Sequence, residues 1–407
     1  MTNKPEIAAE FYPVLQKWPS QDVLARINAT SSATLQRVLA AETSGEPDRL
    51  LALLSPAAEP FLEAMARQAQ AATLRHFGKT MQLFTPLYLS NYCANRCVYC
   101  GFSADNLFDR LQLSAAQVEA EAKRIAATGL RQVLVLTGDA LRKATPAYIA
   151  QSLEILRDYF PALGVEIYAM SEAEYAQLAA AGADSLTIYQ ETYNEAIYAS
   201  LHLSGPKKDY HFRLGAPERA ARAGMRAVNV AALLGFDDWR RDAFFTGLHA
   251  WWLQRRYPHL EIGLSLPRLR PCKGDEKKSY AQQSVEDKHL VQALLALRLF
   301  LPEVGITLST RESATLRDHM LPLGVTRLSA GVTTAVGGHV LQNANNVPQF
   351  SIADERSVDA VAAMLRTKGY QAVYKDWEPL RDRPPAQAAT AGFLPTPRWL
   401  NRQELAL

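Results

Sequence analysis

Thr85-Pro86-Leu87-Tyr88-Leu89-Ser90-Asn91-Tyr92-Cys93-Ala94-Asn95-Arg96-Cys97-Val98-Tyr99-Cys100-Gly101-Phe102 opens as an apolar strand and runs directly into three cysteines spaced C-x3-C-x2-C. Thiolates select zinc or iron–sulfur clusters. A structural zinc site wants a fourth Cys or His at a recognisable offset, and no second C-x2-C or H-x3-H pair follows. A [4Fe–4S] cluster held by three cysteines leaves one iron free to bind a substrate or cofactor. Cys93, Cys97 and Cys100 are therefore the candidate metal ligands, with three ordinary buried cysteines as the plain alternative. The fourth cysteine, Cys272, lies far downstream. As a further ligand it would block the open iron, so a partly buried thiol is the expectation there.

Working outward, short apolar runs alternate with helical patterns. The expected strands are Thr85–Ser90, Gln132–Thr137, Val165–Met170, Ser185–Gln190, Ala227–Leu234, Glu261–Pro267, Gly305–Thr310 and Thr326–Ala330. They are β-rich or continuously apolar, as buried parallel strands are. Between them, Ser114 and Gln117 match a capping box ahead of a helix that ends near Gly129. Pro217–Ala223, Trp239–Arg255, Ser284–Phe300 and Ser313–Met320 supply further crossovers. Eight such alternations predict an α/β chain folded as a (β/α)8 barrel of the TIM type, with the active site at the C-terminal ends of the strands. An open doubly wound sheet is the competing architecture.

The expected organisation is an N-terminal helical extension over residues 1–75, the barrel over 76–335 and a C-terminal extension over 336–407. Helical spacing appears at Val23–Ile27, Thr34–Ala40 and Phe61–Ala69, and again near Val358–Lys368. Arg381 to Pro397, rich in Pro and Ala, reads as an irregular tail.

Charge excludes some partners. Lys and Arg total 44 against 41 acidic residues, and no long basic run concentrates the small excess, so nothing points to nucleic acid. The most apolar stretch, Leu290 to Leu301, is far short of about 20 residues and is interrupted by Arg298, so no membrane span is expected. The N-terminus lacks the apolar core of a signal peptide, and four cysteines do not make a disulfide scaffold. The cytoplasm is the expected location.

The aromatic residue immediately before the last clustered cysteine makes the motif resemble that of the radical S-adenosylmethionine (SAM) superfamily. Leu53-Leu54-Ser55-Pro56-Ala57-Ala58, Thr85–Asn91, Tyr189-Gln190-Glu191-Thr192-Tyr193, Pro267-Arg268-Leu269-Arg270-Pro271, Ser309-Thr310-Arg311-Glu312 and Lys375-Asp376-Trp377 resemble, more narrowly, the 2-iminoacetate synthase family. These are the tyrosine lyases of bacterial thiamin biosynthesis. The resemblance implies a [4Fe–4S] cluster and SAM as cofactors. It implies cleavage of the Cα–Cβ bond of L-tyrosine by an adenosyl radical, giving 2-iminoacetate and 4-cresol. A thiazole synthase partner of the ThiG type and a flavodoxin- or ferredoxin-type reductant are implied with it. Alternatives are a tryptophan lyase-like enzyme, a hydrogenase-maturase-like enzyme, or a non-catalytic Fe–S electron carrier. The maturase needs further cysteines for a second cluster, and none follows Cys272.

The same resemblance implies roles for other residues. Tyr99 would face the adenine of SAM. Thr137-Gly138-Asp139, ending the second strand, would close on its methionine amino group, although the family pattern leads one to expect Glu where Asp139 stands. Glu191, ending the fourth strand, would take the ribose hydroxyls, and Arg213 would hold the SAM carboxylate as a bidentate fork. Arg311, ending the seventh strand, would hold the substrate carboxylate; a loop-fixing pair with Glu312 is the alternative. Ser309 and Ser329 are weaker polar candidates at the ends of strands seven and eight.

Overall fold

The apolar run that leads into the cysteines forms β1 (Thr80–Ser90) and continues five residues upstream of its expected start. In the computed structural model, which describes residues 10–41, 46–269, 284–341 and 347–375, seven further parallel strands follow. They are β2 (Gln132–Thr137), β3 (Ala162–Glu166), β4 (Ser185–Glu191), β5 (Ala227–Ala232), β6 (Glu261–Ser265), β7 (Gly305–Leu308) and β8 (Arg327–Ser329). Each pairs with the next, and β8 returns to pair with β1 at Gln82–Phe84. That closure makes a barrel and rules out the open sheet.

Besides β1, β3 and a ninth strand depart most from expectation. β3 ends at Glu166, where its pairing to β2 stops at Leu136, although the apolar run continues to Met170. Ile167, Tyr168 and Met170 are buried, so the run reports burial rather than strand pairing. A ninth strand, β9 (Gln371–Val373), pairs with β1 at Thr80–Gln82. β1 begins well below the first residue paired to β2, Thr85, and β9 takes up the backbone groups of that overhang. Three residues without alternation carry no signal of this in the sequence.

The helix Asp287–Phe300 is apolar nearly all round, with Leu290 and Gln292 through Phe300 buried. Such a helix must be covered on every side. Its outer face meets the N-terminal helices Pro47–Leu53 and Leu62–Phe77. Trp239–Arg256 likewise packs between β5, β6 and the helix Ser20–Asn28. The amides of Glu10 and Phe11 donate to the buried Glu218 carboxylate, and the Phe11 ring stacks on His249 at 4.1 Å. No helix among the described residues is long and apolar enough to cross a membrane.

Inside, most barrels of this kind are filled by layers of bulky branched side chains. Here the lower half carries Gln82, Gln132, Thr187, Asn229, Ser265 and Thr307 around a small cavity of about 70 Å³. Tyr189 forms its upper limit and separates it from the mouth at the C-terminal ends of the strands.

Candidate functional site

The cysteine loop lies across that mouth and is held by backbone pairing on both sides. The amides of Arg96 and Val98 donate to the carbonyls of Ser204 and Leu201, and Leu203 returns a bond to Arg96. On the other side the Ala94 amide donates to the Asp139 carbonyl at 2.8 Å, and the Asn95 side-chain amide donates to the Asp139 carboxylate at 2.6 Å. Arg110 reaches beneath the loop and donates to the carbonyls of Asn91, Phe102, Ser103 and Asn106. A loop fixed by this many main-chain bonds presents its side chains on a rigid frame.

Cys93, Cys97 and Cys100 are free thiols, and each lies within the electrostatic reach of another. Burial, reinforced by Asp139 and Cys100, pushes the Cys93 thiol up to about 12. Burial also raises Cys97 and Cys100, against the pull of Lys207. Buried thiols of this kind ionise only when a metal displaces the proton. No three His, Cys, Asp or Glu side chains among the described residues are grouped to hold one metal ion.

The surroundings fit a cluster bound there. A Cβ on Gly138 would stand 2.3 Å from the Tyr92 carbonyl oxygen and 3.1 Å from the Cys93 Cβ, so β2 meets the loop where only glycine fits. Thr137 Oγ1 is buried beside it without a hydrogen-bond partner. Three sulfur donors on one loop suit a [4Fe–4S] cluster that keeps one iron open, and His202, which bridges to Cys97 through the backbone, has both ring nitrogens engaged by Tyr99 and Tyr198.

The residues expected from sequence take up the following positions. Tyr99 is buried against Phe236 and donates its hydroxyl to His202 Nε2 at 2.9 Å. Burial and Lys207 hold His202 down at about 3, so it is neutral, with Nδ1 donating to the Tyr198 carbonyl. Asp139 is engaged with Asn95, as described. Glu191 adopts φ 71°, the left-handed region, at a bulge that ends β4, and no other non-glycine among the described residues does so. Such a backbone costs about 1–3 kcal/mol and persists only where the surrounding structure holds it.

Glu191 Oε1 receives Lys207 Nζ at 2.6 Å and lies 3.7 Å from the Arg213 guanidinium, whose Nε donates to the Tyr189 carbonyl. Arg213 is thus buried and is not a surface salt bridge. Burial opposes charge on Glu191, but Lys207 and Arg213 outweigh it and hold the carboxyl below its usual range. Burial and Arg213 oppose charge on Lys207, and Glu191 prevails in turn. Lys207 sits in a single 3-10 turn, Pro206–Lys208, too short for any periodicity to have singled it out.

Arg311 stands free of the pair with Glu312, whose carboxylate is bound instead by Arg268. Its guanidinium lies 3.5 Å over the Phe350 ring and has no hydrogen-bond or ion-pair partner among the described residues. Ser309 Oγ accepts from the Arg311 amide and Ser329 Oγ accepts from the Thr310 amide, so both hydroxyls shape the loop behind the cation. Cys272, Arg270, Pro271, Asp376, Trp377 and the tail lie outside the described residues.

Two features were missed from sequence. The segment 347–354 straps the mouth: Gln349 accepts from the Gly101 amide through its carbonyl and from the Tyr88 hydroxyl at 2.8 Å, and Ala353 donates to Thr310. Gln349 Nε2 also reaches the Cys100 sulfur at 3.9 Å. Irregular backbone gave no warning of it. The second is Glu166, which ends β3 inside an apolar run; a single carboxylate in Val165-Glu166-Ile167-Tyr168 was a readable anomaly.

A closed parallel barrel bearing three free thiols at its C-terminal mouth is the architecture of a radical SAM enzyme, and the Radical SAM superfamily pattern matches residues 87–246. The Biotin and Thiamin Synthesis associated domain matches residues 265–371. The chain is 41% identical to the 2-iminoacetate synthase of Escherichia coli (strain K12) over 358 residues, covering 88% of this chain and 94% of that protein. Against the Salmonella typhimurium enzyme of the same name the identity is 40% over the same shares. The chain belongs to the 2-iminoacetate synthase family. Among solved structures, that of HydG, a maturase of the [FeFe]-hydrogenase, superposes with a TM-score of 0.77 at 28% identity, covering 89% of this chain and 78% of that one.

Proposed function

We infer that the protein is a radical SAM lyase that cleaves the Cα–Cβ bond of L-tyrosine to 2-iminoacetate and 4-cresol for the thiazole of thiamin. The observation that carries this reading is the 41% identity extending over 94% of the Escherichia coli 2-iminoacetate synthase. The superfamily implies a [4Fe–4S] cluster and SAM, and Cys93, Cys97 and Cys100 would hold three of the irons. When bound, the reduced cluster and SAM supply a carbon radical able to remove a hydrogen atom from the substrate.

The chain's own residues supply position and charge. Glu191 Oε1 is taken by Lys207 and Arg213, which leaves Oε2 for the ribose hydroxyls. The remaining edge of the Arg213 fork suits the SAM carboxylate. Tyr99 walls the adenine side, its ring fixed by His202, and Gly138 with Thr137 closes on the methionine end. Arg311, uncommitted at the mouth, takes the tyrosine carboxylate, with Phe350 stacked on the guanidinium to fix its plane. The strap at 347–354 limits solvent at the mouth. Partners consistent with this chemistry are a thiazole synthase that receives the imine and a flavodoxin- or ferredoxin-type reductant in the cytoplasm.

The test is anaerobic incubation of the reconstituted protein with SAM, dithionite and L-tyrosine or L-tryptophan. 4-Cresol and 5′-deoxyadenosine should form together from tyrosine. Their absence, with the cluster fully loaded, would overturn the reading.

A further inference from the structure

Alternate residues of a strand share a face, and on β3 Ala162 and Gly164 line the axial cavity. Glu166, two residues on, therefore faces inward at the top of the same strand. The groups around its carboxyl are Arg311 beyond β7, Glu191 and Tyr189 of β4, Lys207 and Arg213 after β4, and Tyr88 of β1. Lys207 and Arg213 are already committed to Glu191. Among the described residues neither the Glu166 carboxyl nor the Arg311 guanidinium has a hydrogen-bond or ion-pair partner, and the two do not pair with each other. An uncommitted cation and an uncommitted carboxyl facing one mouth are the complement of a zwitterion.

We propose that Glu166 receives the α-ammonium of the amino-acid substrate and takes one proton from it, so that the amine enters the reaction neutral. This rests on the lyase reading above and adds a catalytic group to it. The step balances simply: an ammonium and a carboxylate become an amine and a carboxylic acid, and no electron moves. Two N–H bonds remain, one for hydrogen removal and one that stays on the imine nitrogen. The proton stays on Glu166 until product leaves. Burial supports the role by pushing the carboxyl up to about 7, against the pull of Arg311 and with Glu191 adding to the rise. A proton acceptor works best when its pKa lies near the operating pH.

Glu166→Gln keeps the shape and removes the basic oxygen. Calorimetry on the reconstituted protein with SAM would compare L-tyrosine with 3-(4-hydroxyphenyl)propanoate, which lacks the amine. L-Tyrosine should bind roughly 10- to 100-fold more weakly to the variant, the loss of one charge-assisted hydrogen bond, while the analogue binds equally to both proteins. Wild-type cleavage should fall as the pH drops through about 7, and the variant should lack that limb and keep rising toward the titration of the substrate amine. Glu166→Asp, which retains an acidic oxygen, should recover part of the binding and of the limb.

Equal tyrosine affinity and an unchanged pH profile in Glu166→Gln would overturn the proposal, as would an Asp variant no better than Gln. The two readings separate in this design. A wild-type protein that prefers the amine yet forms no 4-cresol overturns the lyase reading and leaves the ammonium site. Normal cleavage by both proteins does the reverse.

Discussion

Replacing Lys207 with Met keeps the length of the side chain and removes its charge from the most tightly coupled ion pair at the mouth. Glu191 and Lys207 are 7% and 14% exposed and stand 2.6 Å apart. At an effective dielectric of about 20, unit charges at that distance attract by about 6 kcal/mol, and Arg213, at 3.7 Å, adds about 4–5 kcal/mol. Desolvation of three charges takes back most of this, and breaking a buried pair typically costs about 3–5 kcal/mol. Arg213 remains beside Glu191, so the loss should fall at the lower end, about 3 kcal/mol. That is a large part of a total stability of about 5–15 kcal/mol.

The pH dependence follows from the sign of the Glu191 shift. Its folded-state pKa is depressed, so its contribution is present above its unfolded value, about 4.3, and is lost as the pH falls through the folded value. In Lys207→Met the desolvation of Glu191 is opposed by Arg213 alone, and the carboxyl titrates at higher pH. The variant's deficit is then largest above neutrality and narrows as the pH falls, because Glu191 takes up a proton sooner in the variant than in wild type. Urea unfolding of wild type and variant at pH 8 and pH 5, followed by circular dichroism, measures the gap at each. No gap at pH 8, or a gap equal at both values, would refute the coupling.

Each of Cys93→Ala, Cys97→Ala and Cys100→Ala should lose the cluster, read as iron and sulfide content and as an EPR signal that no longer responds to SAM, whereas Cys272→Ala should retain both. Gly138→Ala puts a methyl 2.3 Å from the Tyr92 carbonyl, so iron loading should drop while far-UV circular dichroism stays near wild type; full loading would mean the loop can yield. Arg311→Lys keeps the charge and loses the planar fork. A displacement of the substrate by about 1 Å can cost roughly 100-fold, so 4-cresol should fall far more than 5′-deoxyadenosine, and an unchanged ratio would remove Arg311 from the substrate site.

The sequence by itself located the eight strands and the candidate ligand set, while the choice between a closed barrel and an open sheet waited for the β8–β1 pairing. Eight apolar runs alternating with amphipathic segments locate the strands because burial on both faces demands continuous hydrophobicity, and the cysteine spacing is a local pattern that needs no tertiary contact to be read. Cys93, Cys97 and Cys100 came from that spacing and Glu191 and Arg311 from strand ends, whereas Arg213 came from the family resemblance. Only the tertiary structure decided which charges are paired. Lys207 reaches Glu191 from a single 3-10 turn, Arg268 takes Glu312 and so releases Arg311, and the 347–354 strap meets Tyr88 and Gly101 from more than 240 residues away. Periodicity reports whether a side chain is buried, not what it is buried against. Closing the barrel brings eight strand ends into one ring, and only there do the Glu166 carboxyl and the Arg311 guanidinium, unpaired among the described residues, come to face one mouth.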